Sequence, residues 1–156
     1  MLFRSLDMFY TDNVWHHVLF SSDTNHDEGL KKAKFYVDDV DASDFFFDLG
    51  LAFQNTYNGL GFFIGSANSL VNFFRGDMAD LWMAPGVSIL DGSGDIPEST
   101  RRKFISSAGK PVNPAGWPDA PMKFYGDSSS FPVNKGTGGD FTVTGAFTDA
   151  STSPSD

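Results

Sequence analysis

The chain has 156 residues, enough for one domain with a sizeable core, and its eleven Lys and Arg against twenty Asp and Glu leave a formal charge of −9. That balance argues against an evenly basic nucleic-acid surface and against anionic membranes, and the absence of Cys excludes disulfides, thiolate chemistry and Cys-based metal centres. With 40% hydrophobic and 20% charged residues, the mix is too apolar for wholesale disorder.

Among the acids only Glu28 and Glu98 are Glu and the rest are Asp, which with 16 Gly favours turns where Glu would favour helices. Seventeen Phe supply rings for a core and suit the pleated face of a strand. The composition therefore predicts strands joined by turns. Residues 1–5 lack the basic-then-apolar pattern of a signal peptide, and no apolar run approaches the ~20 residues of a membrane span.

In chain order, residues 14–22 read as a strand, residues 23–29 as a polar loop, and residues 34–37 as a second strand closed by Asp38 and Asp39; together they predict an antiparallel hairpin. Residues 45–53, with three consecutive Phe, fit either a buried strand or a short amphipathic helix. Gly61 and Gly65 bracket a short apolar strand, and residues 78–84 form another, stopped by Pro85 and Gly86. The one good helix pattern spans residues 97–106, with Asp95 placed to cap it, Pro97 and Glu98 in the first turn and Gly109 at the stop. Residues 108–121, with their prolines, read as an ordered connector. Residues 122–125 and 141–144 resume the strand pattern around a turn at Gly136 to Gly139, and the polar tail 151–156 reads as frayed.

The order of these pieces resembles a known family. Trp15-x-His17-Val18, then Lys34-Phe35-Tyr36-Val37-Asp38, then Phe63-Ile64-Gly65, then Gly76-Asp77-Met78-Ala79-Asp80-Leu81-Trp82 look like the later half of a concanavalin A-like, laminin-G-type jelly roll. Arg101-Arg102-Lys103-Phe104 falls where such domains place a short helix, and residues 134–145 are similar to a tail that follows them in phage and prophage structural proteins. Two positions depart from the family pattern: Asp39 stands where its hairpin has Gly, and Leu81 where its closing strand has Glu. The resemblance implies an all-β jelly-roll sandwich with one short helix over residues 1–107, its opening strands apparently missing, and a Pro/Gly-rich connector with a C-terminal β extension over residues 108–156. It also implies a virion location. The expected partners are other virion proteins or copies of the chain itself, with no nucleic acid and no membrane, and the expected state is an oligomer.

Each chemical motif has a plainer counterpart. Glucanases of this architecture pair carboxylates on one strand face, whereas Glu28 and Glu98 lie far apart, one in a turn and one at a helix start, so no catalytic residue is assigned. His16 and His17 are adjacent and would face opposite sides of a strand, which prevents a shared metal; His26 lies in the neighbouring loop. Asp23, Asn25 and Asp27 set oxygen ligands at alternate positions of a tight loop, an arrangement that suits calcium, the only cofactor considered; a solvated Asx-rich turn explains them as well. Arg75-Gly76-Asp77 spells a short adhesion tripeptide that is too brief to be specific. Trp117 and Tyr125, in loop settings, are the candidates for a sugar-stacking platform, against the alternative of core packing. Two functions follow: a non-enzymatic structural component of a phage particle, acting as a lectin-like assembly or decoration module, or a carbohydrate-binding module that recognises host or environmental glycans, with or without calcium.

Overall fold

The computed structural model describes residues 14–23, 32–43, 66–68, 71–73, 77–143, 145–152 and 154. β1 (Val18–Asp23) and β2 (Lys32–Val37) pair antiparallel, with Leu19 opposite Tyr36 and Phe20 opposite Phe35, as the hairpin pattern predicts. Residues 14–17 are not strand. They are held instead by the Asp38 carboxylate, which accepts the His17 backbone N–H at 2.8 Å. Asp38 and Asp39 return the chain into β3 (Val40–Asp41), which completes a three-stranded antiparallel sheet of order β1-β2-β3.

Two smaller antiparallel ribbons follow. β4 (Ser66–Asn68) pairs with β5 (Val71–Phe73), and β6 (Leu81–Met83) pairs with β7 (Met122–Phe124). The Gly61–Gly65 strand and the ambiguous stretch 45–53 lie outside the described residues. β6 is shorter than the strand expected over 78–84, because Asp80 adopts φ 53 and breaks the extended run just before Leu81. Its stop is as expected: the Val87 N–H reaches the Ala84 carbonyl at 3.1 Å, and Gly86 supplies φ 79 at the third position of a turn opened by Pro85.

The helix predicted over 97–106 narrows to α1 (Glu98–Arg101). Asp95 does not cap it. Pro97 occupies the cap position, while the Asp95 carboxylate accepts the Tyr36 hydroxyl at 2.7 Å and the Ile96 N–H at 2.8 Å. After Phe104 the backbone leaves the helix to pair with 110–112: Val112 N–H donates to Phe104 O at 2.9 Å and Ser106 N–H to Lys110 O at 2.8 Å. Gly109, at φ 76, therefore turns this small loop rather than ending the helix.

Alternation along the strands sets Leu19, Ser21, Lys34, Tyr36 and Asp41 on one face of the three-stranded sheet. Leu19 and Tyr36 join Ile96, Phe104 and Trp117 in the core, with Trp82, Ile89 and Leu90 packed against them. The Phe104 ring meets Trp82 and Trp117 edge to face at 5.1 and 5.5 Å, the geometry that the aromatic quadrupole favours. The connector 108–121 is ordered, as expected: it places Trp117 in this core and delivers β7 beside β6. Among the described residues the elements are mostly strands, set in small antiparallel sheets, with one short α-helix, which is consistent with an all-β chain.

Residues 141–143 are not strand, contrary to the alternation in their sequence. Phe141 instead lies edge-on to Phe124 at 5.2 Å, and Phe131 stands between Phe124 and Phe147 at 6.1 Å from each, so ring contacts replace a strand ladder here. The tail is tied at one point: Thr152 Oγ1 accepts the Trp15 indole N–H at 3.0 Å.

Candidate functional site

The best-organised polar site among the described residues grows from the Asp38-Asp39 turn. A two-residue link between β2 and β3 needs positive φ at both centres, and Asp38 and Asp39 adopt 50° and 67°. Asp tolerates this region better than most side chains but less well than Gly. What offsets the strain is that each carboxylate holds a different neighbour. Asp38 accepts His16 Nδ1 at 2.7 Å and the His17 N–H, while Asp39 accepts Arg101 Nε at 2.6 Å and a guanidinium N–H of Arg102. The hydrogen bond from Arg102, working against partial burial and joined by Arg101, keeps the Asp39 carboxyl below its usual range.

From there the network climbs over the sheet. The Arg101 guanidinium lies over the Tyr36 ring, 4.4 Å from its centroid, and also donates to Ile96 O at 2.7 Å. Burial, then the hydrogen bond to Asp95, pushes the Tyr36 phenol up to about 12, so at neutral pH it stays a donor. Lys34 bonds Asp41, whose other oxygen accepts both the N–H and the hydroxyl of Ser43. Desolvation raises Asp41, but Lys34 and Ser43 outweigh it and hold the carboxyl at about 2. Arg102 also reaches Glu98 at 3.1 Å, one helical turn away. The arrangement can lock a turn, a sheet and a helix together. The carboxyls of Asp39 and Asp41, held below their usual range by these partners, are fixed anions at neutral pH, a state that suits struts.

The residues singled out from sequence do not converge on it. Asp23 ends β1, and Asn25 and Asp27 lie outside the described residues, as do Glu28, His26, Arg75 and Gly76. Among the described residues no three acids or histidines cluster as a metal site. Trp117 is 7% exposed and packs in the core, so its ring offers no open face to a sugar and the core-packing alternative describes it. Tyr125 is half-buried beneath the Lys135 ammonium, 4.7 Å from its ring centroid. His17 is half-buried, its Nδ1 meets no partner among the described residues, and desolvation lowers its pKa against the pull of Asp38 and Asp39.

Sequence reasoning missed two devices. The first is what the Asp-Asp turn does: it returns the chain into β3 and holds Arg101 and Arg102, where the sequence shows only a turn that closes the second strand. The second is a backbone cage in the C-terminal extension. Lys135 Nζ donates to the carbonyls of Tyr125 at 2.6 Å and Ser130 at 2.7 Å, and the buried Lys123 Nζ donates to Trp117 O at 3.1 Å. Asn134 stitches the same region through Pro121 O, Gly139 O and the Lys123 N–H. Gly136 rests so close to the 120–121 backbone that a Cβ would stand 2.4 Å from Ala120 O. No family model matches the chain, and no curated protein or solved structure is significantly similar to it.

Proposed function

We propose that the chain is a non-enzymatic structural component of a phage particle, a lectin-like assembly or decoration module with the jelly-roll sandwich that its motif order resembles. The observation that carries this reading is the use made of its charged side chains. Asp39, Asp41, Asp95, Arg101 and Arg102 bind one another, Tyr36 or the backbone, joining parts of the chain up to 63 positions apart. Such a network supports a rigid scaffold. The likeness of residues 134–145 to a tail in phage structural proteins supports the particle, and the small antiparallel sheets fit a sandwich. The burial of Trp117 weighs against the sugar-platform alternative. The test is mass spectrometry on purified particles, with the chain expected at stoichiometric abundance. Its absence from particles, together with calcium-dependent binding on a glycan array, would overturn the proposal in favour of a carbohydrate-binding module.

A further inference from the structure

The C-terminal extension keeps a row of rings that its own fold leaves half covered. Phe124 is 2% exposed at one end of the row, Phe131 is half-buried, and Phe147 at the other end is 49% exposed. Val133 and Val143, each two positions beyond a Phe of the same row, are 53% and 43% exposed. Isolated exposed Val residues need no explanation, but a ring tilted against another ring and still half open is the profile of an unfilled contact.

Carboxylates stand along the same stretch of chain. Asp149 reaches back to the 127–130 turn, where its carboxylate accepts the Ser128 N–H at 2.6 Å, and Asp127 on the same turn is held at about 2 by Ser129 and Ser130. Asp140 precedes Phe141 and accepts the Asn134 N–H at 3.2 Å. None of the three carboxylates is ion-paired among the described residues, whereas Lys135, the nearby cation, is enclosed by carbonyls.

We propose that this face, Phe131 and Phe147 edged by Asp127 and Asp149, docks a basic, apolar segment of a second protein. The proposal rests on the assembly reading and names the partner's chemistry. A second copy is the poorer occupant, since each copy carries a charge of −9 and brings the same acidic edge. A partner segment with an apolar anchor between Lys or Arg residues would cover the rings and meet the two carboxylates of Asp127 and Asp149 that already stand in place.

The test is fluorescence anisotropy of the full chain with a short labelled peptide alternating Lys and Leu, beside a counterpart alternating Glu and Leu. The Lys peptide should bind about tenfold or more tightly than the Glu peptide, and more weakly as salt rises. Phe147→Ser should abolish the binding with circular dichroism unchanged. Asp127→Asn with Asp149→Asn keeps both acceptor oxygens and should erase the preference for Lys. Equal binding of the two peptides, no binding, or binding indifferent to Phe147→Ser overturns the proposal. So does a sedimenting dimer that Phe147→Ser dissolves, which would make a second copy the occupant. Incorporation of the Phe147→Ser chain into particles, measured separately, keeps the two proposals apart: normal incorporation removes this face and leaves the assembly reading standing.

Discussion

Around β1 to β3 the charged groups find one another: Asp39 holds two arginines, Lys34 holds Asp41, and Arg101 lies over Tyr36. Around β7 the cations turn to the backbone instead, with Lys135 on the carbonyls of Tyr125 and Ser130 and Lys123 on that of Trp117. The first region has strands, whose ladders satisfy most peptide groups and leave side chains to pair across elements. The second is largely irregular, so its carbonyls lack ladder partners and ammonium and amide side chains supply the missing donors. A segment without strands can therefore be as tightly specified as a sheet, provided that long polar side chains take over the accounting.

The β6–β7 pair is a seam between the two regions, and the sharpest way to break the comparison is to open a cavity on either side of it. Phe104→Ala and Phe124→Ala remove rings that are 3% and 2% exposed, and each should cost about 3–5 kcal/mol in urea unfolding. If the seam joins the regions, both variants shift a single transition. Two separated transitions would show that the regions unfold independently.

Next in size are the polar anchors. Asp39→Ala leaves two partly buried guanidiniums without their carboxylate, and Lys135→Met leaves two carbonyls without their donor; each should cost about 1–3 kcal/mol. Salt sharpens the contrast. In 1 M NaCl the cost of Asp39→Ala should shrink, because the ion pairs are screened, while that of Lys135→Met, a charge-to-dipole contact, should change less.

Acid should also act through the first region. The folded pKa of His17 lies below the unfolded 6.5, so its contribution is complete above that value and is lost as pH falls through the folded pKa. Asp41, at about 2 against 3.8, contributes fully above 3.8 and loses that contribution as pH falls towards 2. Urea midpoints should thus decline in two stages, with His17→Gln removing the earlier one.

The smallest effect is expected from Asp38→Gly. Relief at φ 50, worth about 1 kcal/mol, opposes the loss of the bonds to His16 and the His17 N–H, so net stability should barely move. Residues 14–17 should loosen nonetheless, visible as faster amide exchange at His17.

What was legible in the sequence follows the same divide. The β1–β2 hairpin, the Pro85-Gly86 stop and β7 were readable because apolar alternation and turn chemistry are local signals. The helix was overestimated because the backbone beyond Phe104 pairs with 110–112 instead of continuing the turn, while Asp95, a good cap by position, is taken by Tyr36 from 59 residues away. Residues 141–143 carry a strand-like pattern but find rings as their neighbours rather than a partner strand. Trp117 sat among prolines that imply surface, and only the pairing of β6 with β7 brings it inward. Of the candidate calcium loop only Asp23 is among the described residues, and the Asp39 site was invisible because its partners, Arg101 and Arg102, are brought to it by tertiary packing alone.

The carbonyl cage around Lys135 has a consequence for how the chain meets reactive chemicals. An ammonium that donates to fixed carbonyls must lose those bonds before its nitrogen lone pair is free to attack an acylating reagent, and Lys123 is shielded besides by burial. Lys103 is exposed by contrast. The C-terminal extension therefore carries its own kinetic clock: acylation of Lys123 and Lys135 is paced by the opening of the backbone around them, whereas exposed Lys103 needs no such opening.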